Sequence, residues 1–225
     1  FYFCEDDYLH IPEAINEAVK NNKKIKLTVF DDRSDGASLE KMHNLLNTVR
    51  CDWEIIKTKN TGQGGSLYEH FNFARNKNSL FYFCEDDYLH IPEAINEMVD
   101  FYKSLHEETS SHLLIHPQEH ELIYSQINYP SYILEGKNRR WRTISHATHT
   151  FFTHSTVVDK FWKYFDNTKY VGQKEKRHLG SEKQTTDKLF NHIHGFSPIP
   201  AVAVHLQSKD SLPPFFDWKN IWDSI

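Results

Sequence analysis

Two hydrophobic periods alternate along the first half of the chain. Ile25–Phe30 (IKLTVF) is a short apolar run closed by Asp31-Asp32, which predicts a strand. Leu39, Met42, Leu45, Leu46 and Val49 then recur at helical spacing over Leu39–Val49. Trp53–Ile56 predicts a second strand, and Asn60–Gly65 (NTGQGG) a glycine-rich turn. Ser66 with Glu69 three residues on has the form of a capping box. It predicts a helix over Leu67–Arg75 that buries Leu67, Phe71 and Ala74. Ser79–Cys84 predicts a third strand ending in Glu85-Asp86-Asp87, and Pro92 suits the first turn of a helix over Glu93–Leu105. Strands alternating with helices through short links predict an α/β domain with a largely parallel sheet flanked by helices.

The pattern loosens after residue 112. His112–His116 and Arg142–Thr153 read as strand-like, Thr156–Phe165 and Thr185–His194 as helical, and Ser197–Val204 as a late strand. No linker divides the 225 residues, so one domain is expected. Two lobes are expected within it, residues 1–115 and 116–225.

Residues 1–17 (FYFCEDDYLHIPEAINE) repeat letter for letter at 81–97, after which Ala18-Val19-Lys20 parts from Met98-Val99-Asp100. Old structural repeats diverge and recur at a steady period. A single perfect copy points instead to a recent duplication, a chimeric gene or an artefact of sequence assembly.

Composition narrows the function classes. Aromatic residues at 14% argue against disorder, and a formal net charge of −5 does not suggest a basic nucleic-acid-binding face. The longest apolar runs, such as Leu113–Ile115 and Ala201–Val204, are too short to span a bilayer, so no transmembrane segment is expected. Acids at residues 5–7 stand where a signal peptide would be apolar. Cys4, Cys51 and Cys84 form no close pair, which suits a reducing compartment. The expected location is the cytoplasm, or the periphery of a membrane facing it.

The candidate chemistry lies at the strand ends. In open α/β sheets ligands bind beyond the carboxyl ends of the strands. Asp31-Asp32 and Glu85-Asp86-Asp87 both stand there. Such acids either occupy solvated turns, or hold a divalent cation together with substrate phosphates. A strand-end carboxylate also accepts hydrogen bonds from a ribose hydroxyl or a base N–H. The glycines of Asn60–Gly65 lack the spacing and the Lys-Ser/Thr ending of a P-loop.

The runs LTVFDDRSDGAS, NTGQGGSLYEHFNFA and LFYFCEDDYLH, in that order, resemble a GT-A fold glycosyltransferase, closest in style to glycosyltransferase family 2. The resemblance spans roughly residues 25–105. It implies a metal-dependent enzyme that moves a sugar from a nucleotide-sugar donor to a saccharide or other hydroxyl acceptor. Carried over, Asp32 with Asp31 would contact the nucleotide, and Gly62 and Gly64 would shape the donor pocket. Glu85 and Asp87 take the ends of a DxD-like triplet for Mn²⁺ or Mg²⁺, with Asp87 the foremost ligand and a late histidine, His205, completing the site. Asp187 in TTDKLF and Glu182 in GSEK are the candidates for a carboxylate base that deprotonates the acceptor. The triplet departs from the pattern in its first residue, a glutamate. The place of the family's first strand is taken by the copied segment, whose Glu5–Asp7 are not expected to form a second metal site. Two other readings remain: a catalytically inactive GT-A-like binding module, and a metal-dependent nucleotidyltransferase.

Three further patterns compete for attention. His116-Pro-Gln-Glu119-His120 matches H-x-x-E-H, which needs both histidines on one helical face, whereas its setting reads as a strand running into a turn. His149, Phe151 and Phe152 either line an acceptor pocket or belong to an amphipathic strand. Arg139-Arg140-Trp141-Arg142 is either an anion-binding cluster or a solvated loop.

Overall fold

The structure, a computed structural model, describes residues 2–3, 11–119, 130–206, 212–213 and 216–223. The acidic segment Glu5–Asp7 and the last histidine of the H-x-x-E-H pattern, His120, lie outside the described residues. Eleven strands are described: β1 (Tyr2–Phe3), β2 (Lys26–Asp31), β3 (Asp52–Lys57), β4 (Leu80–Phe83), β5 (Tyr88–His90), β6 (Leu114–Ile115), β7 (Ile133–Glu135), β8 (Arg140–Ile144), β9 (Phe151–His154), β10 (Gly195–Ile199) and β11 (Ala203–His205). The longer helices are α1 (Pro12–Lys20), α2 (Gly36–Leu46), α3 (Gly62–Ala74) and α4 (Ala94–Thr109).

The α/β class is the expected one, and the pairing is mixed. A parallel sheet runs β1-β2-β3, a six-stranded sheet runs β4-β9-β6-β10-β8-β7, and β11 pairs antiparallel with β5. Within the six-stranded sheet only β6 and β10 are parallel. The strand-like stretch Arg142–Thr153 is two strands separated at residues 145–150, and Ser197–Val204 is likewise split between β10 and β11. The first break, Ser145–Thr150, brings His146, Thr148, His149 and Thr150 to the end of the sheet, whereas the second, Pro200-Ala201-Val202, is apolar.

Two apolar clusters fill the interior. One packs Ile15, Ala18, Leu27 and Met98 against Trp141, Phe196 and Val202. The other packs Leu67, Phe71 and Phe83 against Phe151, Val158 and Leu189. Each draws on both halves of the chain. Phe151 and Phe152 are fully buried here, so they do not line an acceptor pocket. Their strand β9 is covered on both faces, a context that local alternation does not reveal.

The Arg139–Arg142 cluster is neither a solvated loop nor an anion site. Arg139 is held by the Glu97 carboxylate and by the Pro200 carbonyl, and Arg140 pairs with Glu135 at 3.0 Å. Trp141 is 1% exposed and stacks on Phe101, with ring centroids 4.2 Å apart. Arg142 donates to Ser131 Oγ at 3.0 Å.

Candidate active site

Asp31 ends β2 and Asp32 follows it, and the two serve different purposes. Asp31 is buried, and its Oδ1 accepts from the Ser34 amide at 2.9 Å, closing a turn. Asp32 reaches toward the glycine loop, accepting from Thr58 Oγ1 at 3.2 Å and from the Gly62 amide at 2.6 Å. Gly62 has φ of +76°, a conformation glycine adopts without steric cost. That backbone turns its N–H toward Asp32 as α3 begins.

The helix therefore starts a turn earlier than the Ser66–Glu69 pattern predicts. Ser66 is buried within α3, and Glu69 is not its capping partner. Glu69 Oε1 instead accepts from the amides of Lys59 and Asn60, at 2.8 and 2.6 Å. Gly64 faces the backbone of residues 168–171. A Cβ there would lie 2.5 Å from the Val171 carbonyl oxygen. Gly64 thus packs the helix closely against its neighbour.

The acidic triplet follows β4. The Glu85 amide donates to Thr150 Oγ1 at 3.0 Å, and that hydroxyl donates to Glu85 Oε2 at 3.3 Å. Burial, then the Asp87 charge, pushes the Glu85 carboxyl up to about 7; Glu182 adds in the same direction, while His205 and the Thr150 bond oppose. Asp86 is buried. Asp87 Oδ2 meets His205 Nε2 at 2.7 Å, whereas its Oδ1 is buried and has no hydrogen-bond partner among the described residues.

His205 is positioned by three contacts besides Asp87. It ends β11, whose pairing with β5 places it opposite Tyr88. Its ring stacks on that tyrosine at 4.7 Å, and its amide donates to Gln118 Oε1 at 2.6 Å. Tyr88 in turn shares a hydrogen bond with Thr148 at 3.0 Å. Burial pulls the His205 imidazolium down, but the Asp87 hydrogen bond and the charges of Asp87, Glu85 and Asp86 outweigh it and leave the pKa raised.

The two candidate bases approach from the later segment. Asp187 Oδ2 pairs with His146 Nδ1 at 2.9 Å, and its Oδ1 accepts from the Ala147 amide at 3.2 Å. That Asp187 hydrogen bond, opposed by burial, holds His146 above the ordinary imidazole value. Glu182 lies 4.0 Å from His149 Nδ1, and the buried His149 also meets Thr185 Oγ1 at 3.1 Å. Burial holds His149 below the ordinary value, against the charges of Glu182 and Asp187. Glu85, Asp87, His205 and Glu182 therefore share one electrostatic neighbourhood, while Asp32 acts on the glycine loop.

His116 follows β6, its Nδ1 on the Thr150 carbonyl at 2.9 Å, and residues 116–119 are not helical. The helical face required of a zinc peptidase is absent among the described residues. Sequence reasoning missed Thr150, Gln118 and Thr148, and His146 as the partner of Asp187. Thr150 lies 65 positions from Glu85, and nothing in its local pattern marks it.

Among the described residues, no group of three or more His, Cys, Asp or Glu side chains converges closely enough to hold a metal ion. A cation bound through one or two carboxylates plus substrate phosphates needs no such closed group. The buried Asp87 Oδ1, for which no partner is found among the described residues, and the neighbouring Glu85 carboxylate are hard oxygen donors suited to Mn²⁺ or Mg²⁺; the His205 imidazole is a softer donor whose Nε2 is held by Asp87.

Acids at the strand ends of an α/β sheet share a neighbourhood with Glu182 from a later segment, whose charge acts on Glu85. A sequence model of glycosyl transferase family 2 matches residues 4–165, and the chain belongs to that family. Its fold is the GT-A-like one, and membership supports a nucleotide-sugar-using enzyme of the glycosyltransferase kind. No curated protein matches the chain.

Solved structures with similar folds include an apo UDP-glucose pyrophosphorylase, at 13% identity and TM-score 0.49, covering 88% of this chain and 81% of that one. A second is residues 1–349 of S. aureus TarS in complex with UDP, at 14% identity and TM-score 0.48, covering 84% of this chain and 56% of that one. A third is the UTP-bound UGPase of Acinetobacter baumannii, at 8% identity and TM-score 0.46, covering 89% and 78%. The chain thus spans little more than half of the TarS fragment. No helix among the described residues is long and apolar enough to cross a membrane.

Proposed function

We propose that the chain is a metal-dependent glycosyltransferase that transfers a sugar from a nucleotide-sugar donor to a hydroxyl acceptor. The observation that carries this is the Asp87–His205 pair, whose second carboxylate oxygen is buried beside Glu85 and without a partner among the described residues. In this reading residues 1–115 provide the nucleotide and metal contacts, and 116–225 the acceptor side. Asp32 orients the glycine loop through Gly62 and contacts the nucleoside. Glu85, Asp87 and His205 would hold the cation. A bound Mn²⁺ or Mg²⁺ supplies Lewis-acid stabilisation of the nucleoside diphosphate as it leaves. Asp187, held by His146 and the Ala147 amide, takes the proton from the acceptor hydroxyl. Glu182 is the more exposed carboxylate and ranks second for that role.

The test is calorimetry with UDP and GDP in the presence of Mn²⁺, paired with donor turnover over a panel of nucleotide sugars. Asp87→Ala is expected to abolish metal-dependent binding. Asp187→Asn is expected to keep binding and to lose transfer by roughly a hundred- to ten-thousand-fold. Full activity in Asp87→Ala overturns the assignment. Absence of nucleotide binding in the native chain marks an inactive module instead, and pyrophosphate release from a nucleoside triphosphate marks a nucleotidyltransferase.

A further inference from the structure

A cavity of about 420 Å³ opens between the start of α3 and the segment that follows the 3₁₀ turn Asp166–Tyr170. Its walls include Asn60, Thr61 and Tyr68 on one side and Lys169, Tyr170 and Lys176 on the other. The close packing of Gly64 on residues 168–171 holds the two walls together. The volume lies in the range of small-molecule sites.

The cationic wall is the unusual feature. The ammonium groups of Lys169 and Lys176 both approach the ring of Tyr170, at 5.4 and 5.0 Å from its centroid. Lys169 is also bonded to Asp166 at 2.6 Å. Lys176 is exposed, and among the described residues it forms no ion pair with a carboxylate. Residues 169–188 hold six lysines and arginines against three acids, in a chain whose formal net charge is −5. Of these cations Lys169 and Lys176 line the cavity; Asp166 neutralises Lys169 and Glu69 holds Asn60 from behind the other wall, so Lys176 is the cation left to meet an anion.

We propose that the cavity is a subsite for an anionic saccharide acceptor, its phosphate or carboxylate bound by Lys176 and its ring lying against Tyr68 or Tyr170. This rests on the reading of the chain as a glycosyltransferase and adds the charge class of the substrate. Two observations assign the anion to the acceptor rather than to the donor diphosphate. No carboxylate lines the cavity, so Glu85 and Asp87, which would hold the diphosphate through the cation, are not part of it. Lys169 and Lys176 also belong to the same stretch of chain as Glu182 and Asp187, so an acceptor anchored there is held by the segment that carries the base. The hydroxyl and amide groups of Tyr68, Asn60 and Thr61 supply partners for sugar hydroxyls.

The test is calorimetry on the chain saturated with UDP and Mn²⁺, titrated with glucose 6-phosphate, glucose or inorganic phosphate. Glucose 6-phosphate is expected to bind at least roughly tenfold more tightly than either of the others. Lys176→Gln is expected to weaken it about tenfold, the effect of losing one charge-assisted hydrogen bond, and to leave UDP affinity within about twofold. Lys176 is exposed, so the substitution leaves the core untouched. Equal binding of glucose, or no binding of glucose 6-phosphate by a chain that still binds UDP, overturns the subsite. A matching loss of UDP affinity in Lys176→Gln also overturns it, because the cavity would then hold the donor. Failure of UDP to bind while glucose 6-phosphate still binds, weakened by Lys176→Gln, removes the glycosyltransferase reading and leaves the anion site standing.

Discussion

Gly64 and Gly36 both lie near the start of a helix, yet the space around them differs completely. A Cβ on Gly64 would meet the carbonyl oxygens of Val171, Lys169 and Thr168 at 2.5 to 2.9 Å, all of them backbone atoms that cannot swing aside. A Cβ on Gly36 would meet nothing within 4 Å. Gly64→Ala is therefore expected to cost about 1–3 kcal/mol, because α3 must move off the segment it packs on. Gly36→Ala is expected to be neutral, or to stabilise by up to about 1 kcal/mol through the unfolded chain. Urea denaturation of the two variants checks this, and equal midpoints would show that α3 is not closely docked. Within the glycine loop, Gly64 packs on the backbone of residues 168–171 while Gly62 presents its amide to Asp32.

At the scale of elements, much of the fold was legible where local pattern and tertiary context agree. The strand at Lys26–Asp31 follows its apolar run closely; the helix expected over Leu39–Val49 lies at Gly36–Leu46, three residues earlier at each end, because Asp35 caps it by accepting from the Ser38 amide at 2.7 Å. The start of α3 was not legible, since Glu69 chose the amides of Lys59 and Asn60 over Ser66. The two copies make the same point without any change of sequence. Helix α1 begins at Pro12, whereas its counterpart in the second copy begins at Ala94, after Pro92 and Glu93 form a turn. The acids of the candidate site were legible as strand-end residues. Their partners were not, because Thr150 reaches Glu85 from 65 positions away and His146 reaches Asp187 from 41, while Gln118 holds the His205 amide from 87.

One element junction also sets a pH response. His106 at the end of α4, His112 beyond it and His154 at the end of β9 stack in nearly parallel planes, with centroids 4.9 and 4.6 Å apart. Burial, then the charges of His154, His106 and Lys160, holds His112 below its ordinary value of 6.5. Burial and then His106 do the same to His154, against Asp159. The folded chain thus binds fewer protons here than the unfolded chain as pH falls below 6.5. Stability from the stack is complete above that value and is lost toward the lower folded pKa values. His112→Phe keeps a ring in the stack and removes one titrating group. Its melting temperature is expected to fall less steeply than the native one between pH 7 and pH 5. Parallel slopes in differential scanning fluorimetry would exclude the stack as the cause.

For the whole molecule, the question is whether the copied N-terminal segment is an appendage or a part of the core. Ile15 and Ile95 occupy the same position in the two copies, and both are buried in one apolar cluster with Trp141 and Phe196. The second cluster likewise joins Leu67 and Phe83 to Leu189, so neither half of the chain owns a core of its own. A body built this way is expected to unfold in a single cooperative step. Ile15→Ala and Leu189→Ala should each cost about 2–5 kcal/mol, and each should move the whole transition to lower denaturant with its slope unchanged. Tryptophan fluorescence and far-UV circular dichroism should trace the same curve in both variants. If Ile15→Ala instead releases an early transition by one probe and leaves the main one in place, the copied segment folds as a separate layer. The nucleotide side of the site would then rest on β2 and β3 alone. Coincident curves mean that Asp32 and Asp87 are positioned by one continuous interior, and that removing the first copy would loosen both.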